Sequence, residues 1–246
     1  MKKNKLIDFL IIVLVFIALS CIPFNLFIKD EKLSWLILTL QIVVQAIIFV
    51  FIILFLKFKS ELNYKDGKIN IINTLLLIPT LAVCFSNLTN LYIANGTSNI
   101  VVNLDLFLRI LLTAFVVVNE ELIFRLIFIN NLEIKNNFLI ILLTAGVFGL
   151  CHITHFLTSF NPADLLVIVY TFLLGLLLGF AYLFTKSIYP CVVIHFLFNL
   201  FNNILFPYFE LEWMYFLITS IFVLAVAGYV IIMYFLRLKA RPVEEY

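Results

Sequence analysis

The sequence predicts an all-α, polytopic membrane helix bundle of about eight transmembrane helices, with both termini cytoplasmic. Three observations carry this reading. Of the 246 residues, 65% are hydrophobic and only 12% are charged, with a mean hydropathy of +1.18. Soluble domains are about half apolar and about a quarter charged, so lipid must cover much of this surface. The apolar residues fall into stretches of the roughly 20 residues needed to cross a hydrocarbon core. Lysine and arginine then fall in alternate connections, as a bilayer-spanning chain requires.

The candidate spans are 6–28, 33–58, 71–93, 104–132, 138–156, 165–184, 188–206 and 213–236. The first follows Met1-Lys2-Lys3-Asn4-Lys5 and imitates a signal peptide. It is too long for such an h-region and lacks a small-residue cleavage site, so it reads as a retained span. The fourth is interrupted by charges. Phenylalanine is abundant, with 28 copies, while glycine and proline are scarce, which suits long helices better than an alternating barrel. The connections are short, and no internal repeat or low-complexity segment is apparent.

With the N-terminus cytoplasmic, the inner connections hold Lys2, Lys3, Lys5, Lys57, Lys59, Lys65, Lys68, Lys135, Lys186, Arg237, Lys239 and Arg241. The outer ones hold only Lys29 and Lys32, beside Asp30 and Glu31. One span more or fewer would break this alternation. The expected location is therefore the cell membrane, as a multi-pass protein. A net charge of +2 gives no reason to expect nucleic acid. Cys21, Cys84, Cys151 and Cys191 are scattered through apolar runs without a CxxC pair, so they suggest neither a disulfide framework nor a zinc ribbon.

Polar residues inside the spans concentrate in three helices. An unpaired charge at mid-bilayer costs roughly 2.5–3.5 kcal/mol on insertion scales, so each needs a partner, a cavity or a function. The fourth span holds Asn119-Glu120-Glu121-Leu122-Ile123-Phe124-Arg125. Glu121 and Arg125 stand at i and i+4 on one face in the favourable order. Glu120 points about 100° away and has no partner on its own helix. A carboxylate so placed suits general acid–base work.

The fifth span carries Phe148 and His152, then His155 nearer its outer end. The seventh carries His195 and Asn199 on one face, able to donate to an oxyanion or to a neighbouring helix. Counted at 1.5 Å per residue, Glu120, His152 and His195 lie roughly 16, 21 and 10 Å from the cytoplasmic ends of their spans. A single polar cavity explains a shared level. In the sixth span, Gly175 and Gly179 form a GxxxG pattern that permits close approach of a neighbouring helix.

The set Glu-Glu-x-x-x-Arg (Glu120, Glu121, Arg125), Phe-x-x-x-His (Phe148, His152) and His-x-x-x-Asn (His195, Asn199) resembles the three motifs of the CPBP family. That family comprises intramembrane proteases of the type II CaaX prenyl endopeptidase and bacteriocin-processing, Abi-type kinds. The resemblance covers residues 111–203; Leu126 departs from the glycine many members carry there. It implies a helical membrane protease with a cavity open toward the cytoplasmic side. Glu120 with His152 would activate water, His195 and Asn199 would stabilise the oxyanion, and Glu121 with Arg125 would brace the site.

The resemblance divides the chain into an N-terminal three-helix membrane segment (1–103), a catalytic core (104–206), and a final helix with a basic cytoplasmic tail (207–246). The expected partners are the bilayer and a hydrophobic or membrane-bound peptide, such as a bacteriocin precursor or signal peptide. The expected chemistry is cofactor-free, although two histidines and one or two glutamates could also ligate zinc. The alternatives are a bacteriocin self-immunity protein acting by binding alone, and a proton-coupled transporter using the intramembrane Glu and His residues.

Overall fold

The computed structural model describes residues 3–20, 22, 24, 33–58, 71–86, 102–132, 134, 136–205 and 212–239. Among these residues every regular element is helical. In chain order they are α1 (Lys3–Ser20), α2 (Ser34–Phe58), α3 (Ile71–Leu75), a 3-10 helix (Ile78–Phe85), α4 (Leu104–Glu121), α5 (Asn137–Cys151), α6 (Ile153–Ser159), α7 (Leu165–Thr185), α8 (Tyr189–Asn199) and α9 (Glu212–Lys239). Two π-helical stretches, Leu122–Ile129 and Leu200–Leu205, continue α4 and α8.

Ser34–Phe58, Leu165–Thr185 and Trp213–Arg237 are each long and apolar enough to cross a membrane. Ile7–Ser20, Ile71–Phe85, Asn137–Cys151 and Tyr189–Leu205 are shorter apolar helices. The chain is a membrane protein, and each of the eight expected stretches holds helix. α2 and α9 turn exposed Ile47, Val50, Ile221, Leu224 and Ile232 outward, an apolar surface suited to lipid.

Besides the two that widen into π-helix, two further stretches are broken where hydropathy predicts a continuous helix. The third breaks after Leu75 and resumes as a 3-10 helix. Pro79 lacks an N–H, and its ring collides with the carbonyl four residues back, at Leu75. The fifth breaks at His152, whose φ of −86° and ψ of 1° interrupt the helix before α6 begins.

Helices that follow one another in the chain run in opposite directions, while α2 lies parallel to α4 and α7 parallel to α9, and side-chain bonds tie their ends together. At one end Ser34 Oγ donates to Asp105 Oδ2 at 2.7 Å, Gln45 Nε2 to Ser20 Oγ at 2.9 Å, and Ser86 Oγ to Asn202 Oδ1 at 3.0 Å. At the other, Asn73 Nδ2 donates to the Phe184 carbonyl at 2.7 Å, Asn130 Nδ2 to Tyr182 Oη at 2.7 Å, and Asn137 Nδ2 to Tyr234 Oη at 3.0 Å. This second end also carries the start of α1, through Phe9 packed at a tilt against Phe128, and the end of α9, through Arg237 over Phe184.

The tightest helix pair is α5 with α7. A Cβ added at Gly175 would lie 3.0 Å from Ala145 Cα, and one at Gly179 would lie 2.8 Å from Ile141 Cγ2. The GxxxG pattern therefore serves an intrachain contact with α5. Without a hydrophobic drive between helices in lipid, such backbone-to-backbone packing is a main source of cohesion.

Candidate active site

Glu120 and Glu121 close the α-helical part of α4, which begins with a proper cap: Asn103 Oδ1 accepts from the Leu106 N–H at 2.9 Å. Directly after Glu121 the helix widens into the π stretch, all eight residues of which are buried. The second π stretch follows directly after Asn199. Single π turns recur at functional sites because they re-aim the side chains around them. A sequence pattern read at α-helical period gives no sign of either.

Glu121 is fully buried and uses both oxygens. Arg125 Nε donates to its Oε2 at 3.0 Å, as the i, i+4 spacing predicts. His195 Nδ1, arriving from α8, lies 2.9 Å from its Oε1. The other ring nitrogen of His195, Nε2, faces Glu120 Oε2 at 3.6 Å. Glu120 thus finds across the helix interface the neighbour it lacks on its own helix. Arg125, His195 and the two carboxylates form one continuous polar chain largely buried among the helices, where such contacts are stronger than at a surface.

Phe148 organises the same cluster. Its ring lies edge-on to His152 at 5.1 Å, to His195 at 5.7 Å and to Phe124 at 5.2 Å between centroids. The Arg125 guanidinium carbon sits 5.4 Å from its centroid. Nη1 and Nη2 of Arg125 make no hydrogen bond among the described residues, so the ring face is what they meet.

His152 sits in the sparsely populated bridge region of backbone space, a common setting for active-site residues. Its Nδ1 lies 2.9 Å from the Phe148 carbonyl, to which an Nδ1–H donates. That bond fixes the ring and directs its other edge away from α5.

Two cavities meet at this cluster. One, of about 430 Å³, is lined by Phe16, Ile17, Ser20, Gln41, Gln45, Leu112, Val116, Glu120, Cys151, His152 and Thr154. The other, of about 370 Å³, is lined by Val116, Glu120, Phe148, His152, His195 and Asn199, with Asp164, Tyr170, Thr171, Asn203 and Phe216 among its further walls. Glu120 and His152 belong to both. Asn199 Oδ1 accepts from Asn203 Nδ2 at 3.1 Å, and both side chains line the second cavity.

The structure therefore brings Glu120, Glu121, Arg125, His152, His195 and Asn199 into one place. The side chain of His155 and the whole of Cys21 lie outside the described residues. Among the described residues, no three His, Cys, Asp or Glu side chains are grouped so as to hold a metal ion.

The sequence reading missed a polar strut behind the site. Asn119 Nδ2 donates to the Gln45 carbonyl at 3.0 Å and to Gln45 Oε1 at 2.9 Å, and Gln45 in turn donates to Ser20. Gln41 and Gln45, polar at i and i+4 in an otherwise apolar span, were the available signal. They show that α1 and α2 build one of the cavities rather than merely surrounding the core.

Residues 102–201 match the family described as type II CAAX prenyl endopeptidase Rce1-like. This segment is similar to an Rce1-like domain. All six candidate residues fall within it, and the family is one of proteases. No curated protein and no solved structure matches the chain. The matched segment runs from the cap of α4 into the second π stretch, whereas Ser20, Gln41 and Gln45 of the first cavity lie outside it.

The cavity walls come from Ser20, Gln41, Thr154, Asp164, Asn203 and Phe216, all toward the end of the bundle opposite Lys3 and Lys239.

Proposed function

We propose that the chain is an intramembrane endopeptidase that hydrolyses a peptide bond in a hydrophobic or membrane-associated peptide. The observation that carries this reading is the position of Glu120 and His152 on the wall shared by both cavities, so that an extended peptide can lie with residues on either side of them. Glu120 takes a proton from a water molecule as the water oxygen attacks the scissile carbonyl, with His152 holding that water. The tetrahedral oxyanion is met by the Asn199 amide and the His195 ring edge. Glu120 then passes the proton to the leaving amine, and the C–N bond breaks.

Glu121 and Arg125 do not touch the substrate in this scheme. Glu121 fixes the His195 ring through Nδ1, and Arg125 compensates the buried charge. A metal-free reaction fits this division, because both oxygens of Glu121 already have protein partners.

Purified protein in detergent is assayed against a panel of hydrophobic peptides, with Glu120→Gln and with a chelator. The expected result is hydrolysis that the chelator spares and Glu120→Gln abolishes. Loss to the chelator would replace the general-base scheme with a metal site. Hydrolysis that survives Glu120→Gln would remove Glu120 from the chemistry.

A further inference from the structure

The two ends of the bundle differ in a way that bears on the origin of the substrate. At the end that holds Lys3 and Lys239 the interior is filled. Every residue of Leu122–Ile129 is buried there, as are Tyr182, Phe184 and Ile140. Neither cavity takes a wall residue from it. Toward the opposite end both cavities are walled by described polar residues, Ser20, Gln41, Thr154, Asp164 and Asn203.

The charge asymmetry runs against the cavities. Among the described residues the filled end carries exposed Lys57 and Lys186 and half-buried Arg237, and the sequence connections that leave it are the lysine- and arginine-rich ones. Among the described residues the open end has Arg109 one turn beyond Asp105, and the sequence between α1 and α2 pairs Lys29 and Lys32 with Asp30 and Glu31. An excess of Lys and Arg in short loops fixes the cytoplasmic side of a membrane protein.

We propose that the site is reached from the non-cytoplasmic face of the membrane. Its substrate is accordingly a peptide presented from outside or lodged in the outer leaflet, not the tail of a cytoplasmic protein. The substrate half of this inference rests on the peptidase reading; the orientation does not.

Orientation is read by thiol labelling of the full chain in spheroplasts, in a background carrying Cys21→Ser and Cys151→Ser; Cys84 and Cys191 are buried. Val102, which is 87% exposed at the open end, is changed to Cys; so, separately, is Lys186 at the filled end. A membrane-impermeant maleimide is expected to modify Val102→Cys in intact spheroplasts and Lys186→Cys only after permeabilisation. The reverse pattern would overturn the orientation.

The second arm uses the unmodified chain. Intact spheroplasts receive a quenched hydrophobic peptide from outside and are compared with spheroplasts carrying Glu120→Gln. Cleavage above the Glu120→Gln background is expected without permeabilisation. Cleavage that appears only after permeabilisation would overturn the proposal. Outward labelling with no Glu120-dependent cleavage under either condition would remove the peptidase reading while the orientation stood.

Discussion

Glu120 and Glu121 are adjacent on α4, yet they sit in two different regions of the molecule. Glu121 lies in a dry interior with 0% exposure and a partner for each oxygen. Glu120 lies on a cavity wall at 8% exposure, with His195 Nε2 at 3.6 Å and space on both sides. The difference arises from a single helical step of about 100°. It teaches that a conspicuous charge pair in a membrane helix can be scaffold while the carboxylate beside it is available for chemistry.

Substitutions sharpen this contrast. The largest expected effect is on turnover. Glu120→Gln keeps the shape and removes the base, so peptide hydrolysis should fall by about 10²–10⁴-fold, the usual contribution of a positioned base. Thermal unfolding in detergent should move little. A variant that lost stability instead would place Glu120 in the scaffold.

Next comes the interior. Arg125→Met leaves Glu121 buried without its cation and should cost about 3–5 kcal/mol of stability. The combined Glu121→Gln, Arg125→Met variant should recover part of that loss without recovering full turnover, because His195 would lose its carboxylate anchor. Equal stability of Arg125→Met and the parent would contradict a structural role for the pair.

A smaller effect is expected at the α5–α7 contact. Gly175→Val places new atoms against Ala145 and should destabilise by about 1–3 kcal/mol, the range for overpacking. The smallest is Asn119→Ala, which removes the strut to Gln45 at about 0.5–1.5 kcal/mol. The melting temperature in detergent checks both, and their order tests whether backbone approach outweighs a single hydrogen bond here.

Much of this architecture was legible before any coordinates. Hydropathy located helix in each of the eight stretches, and the i, i+4 rule paired Glu121 with Arg125 because both residues lie on one helix. The same rule could not find His195 between the two glutamates, since that contact joins residues far apart in the chain. Nor could it foresee the π stretches after Glu121 and Asn199, which depend on how the buried turns pack. The break after Leu75 was readable from Pro79, but an apolar run masked it. Gln41 and Gln45 were visible too; their meaning required α2 to lie beside Asn119.

The most direct test of the division between the two glutamates is a paired measurement on purified Glu120→Gln and Glu121→Gln. Each is followed by melting temperature and by hydrolysis of one cleaved peptide. The account predicts that Glu120→Gln melts like the parent and does not cleave. Glu121→Gln should melt at a lower temperature and, where still folded, retain measurable cleavage. A Glu121→Gln protein of parental stability with no activity, beside a Glu120→Gln protein that still cleaves, would exchange the two roles and contradict the account.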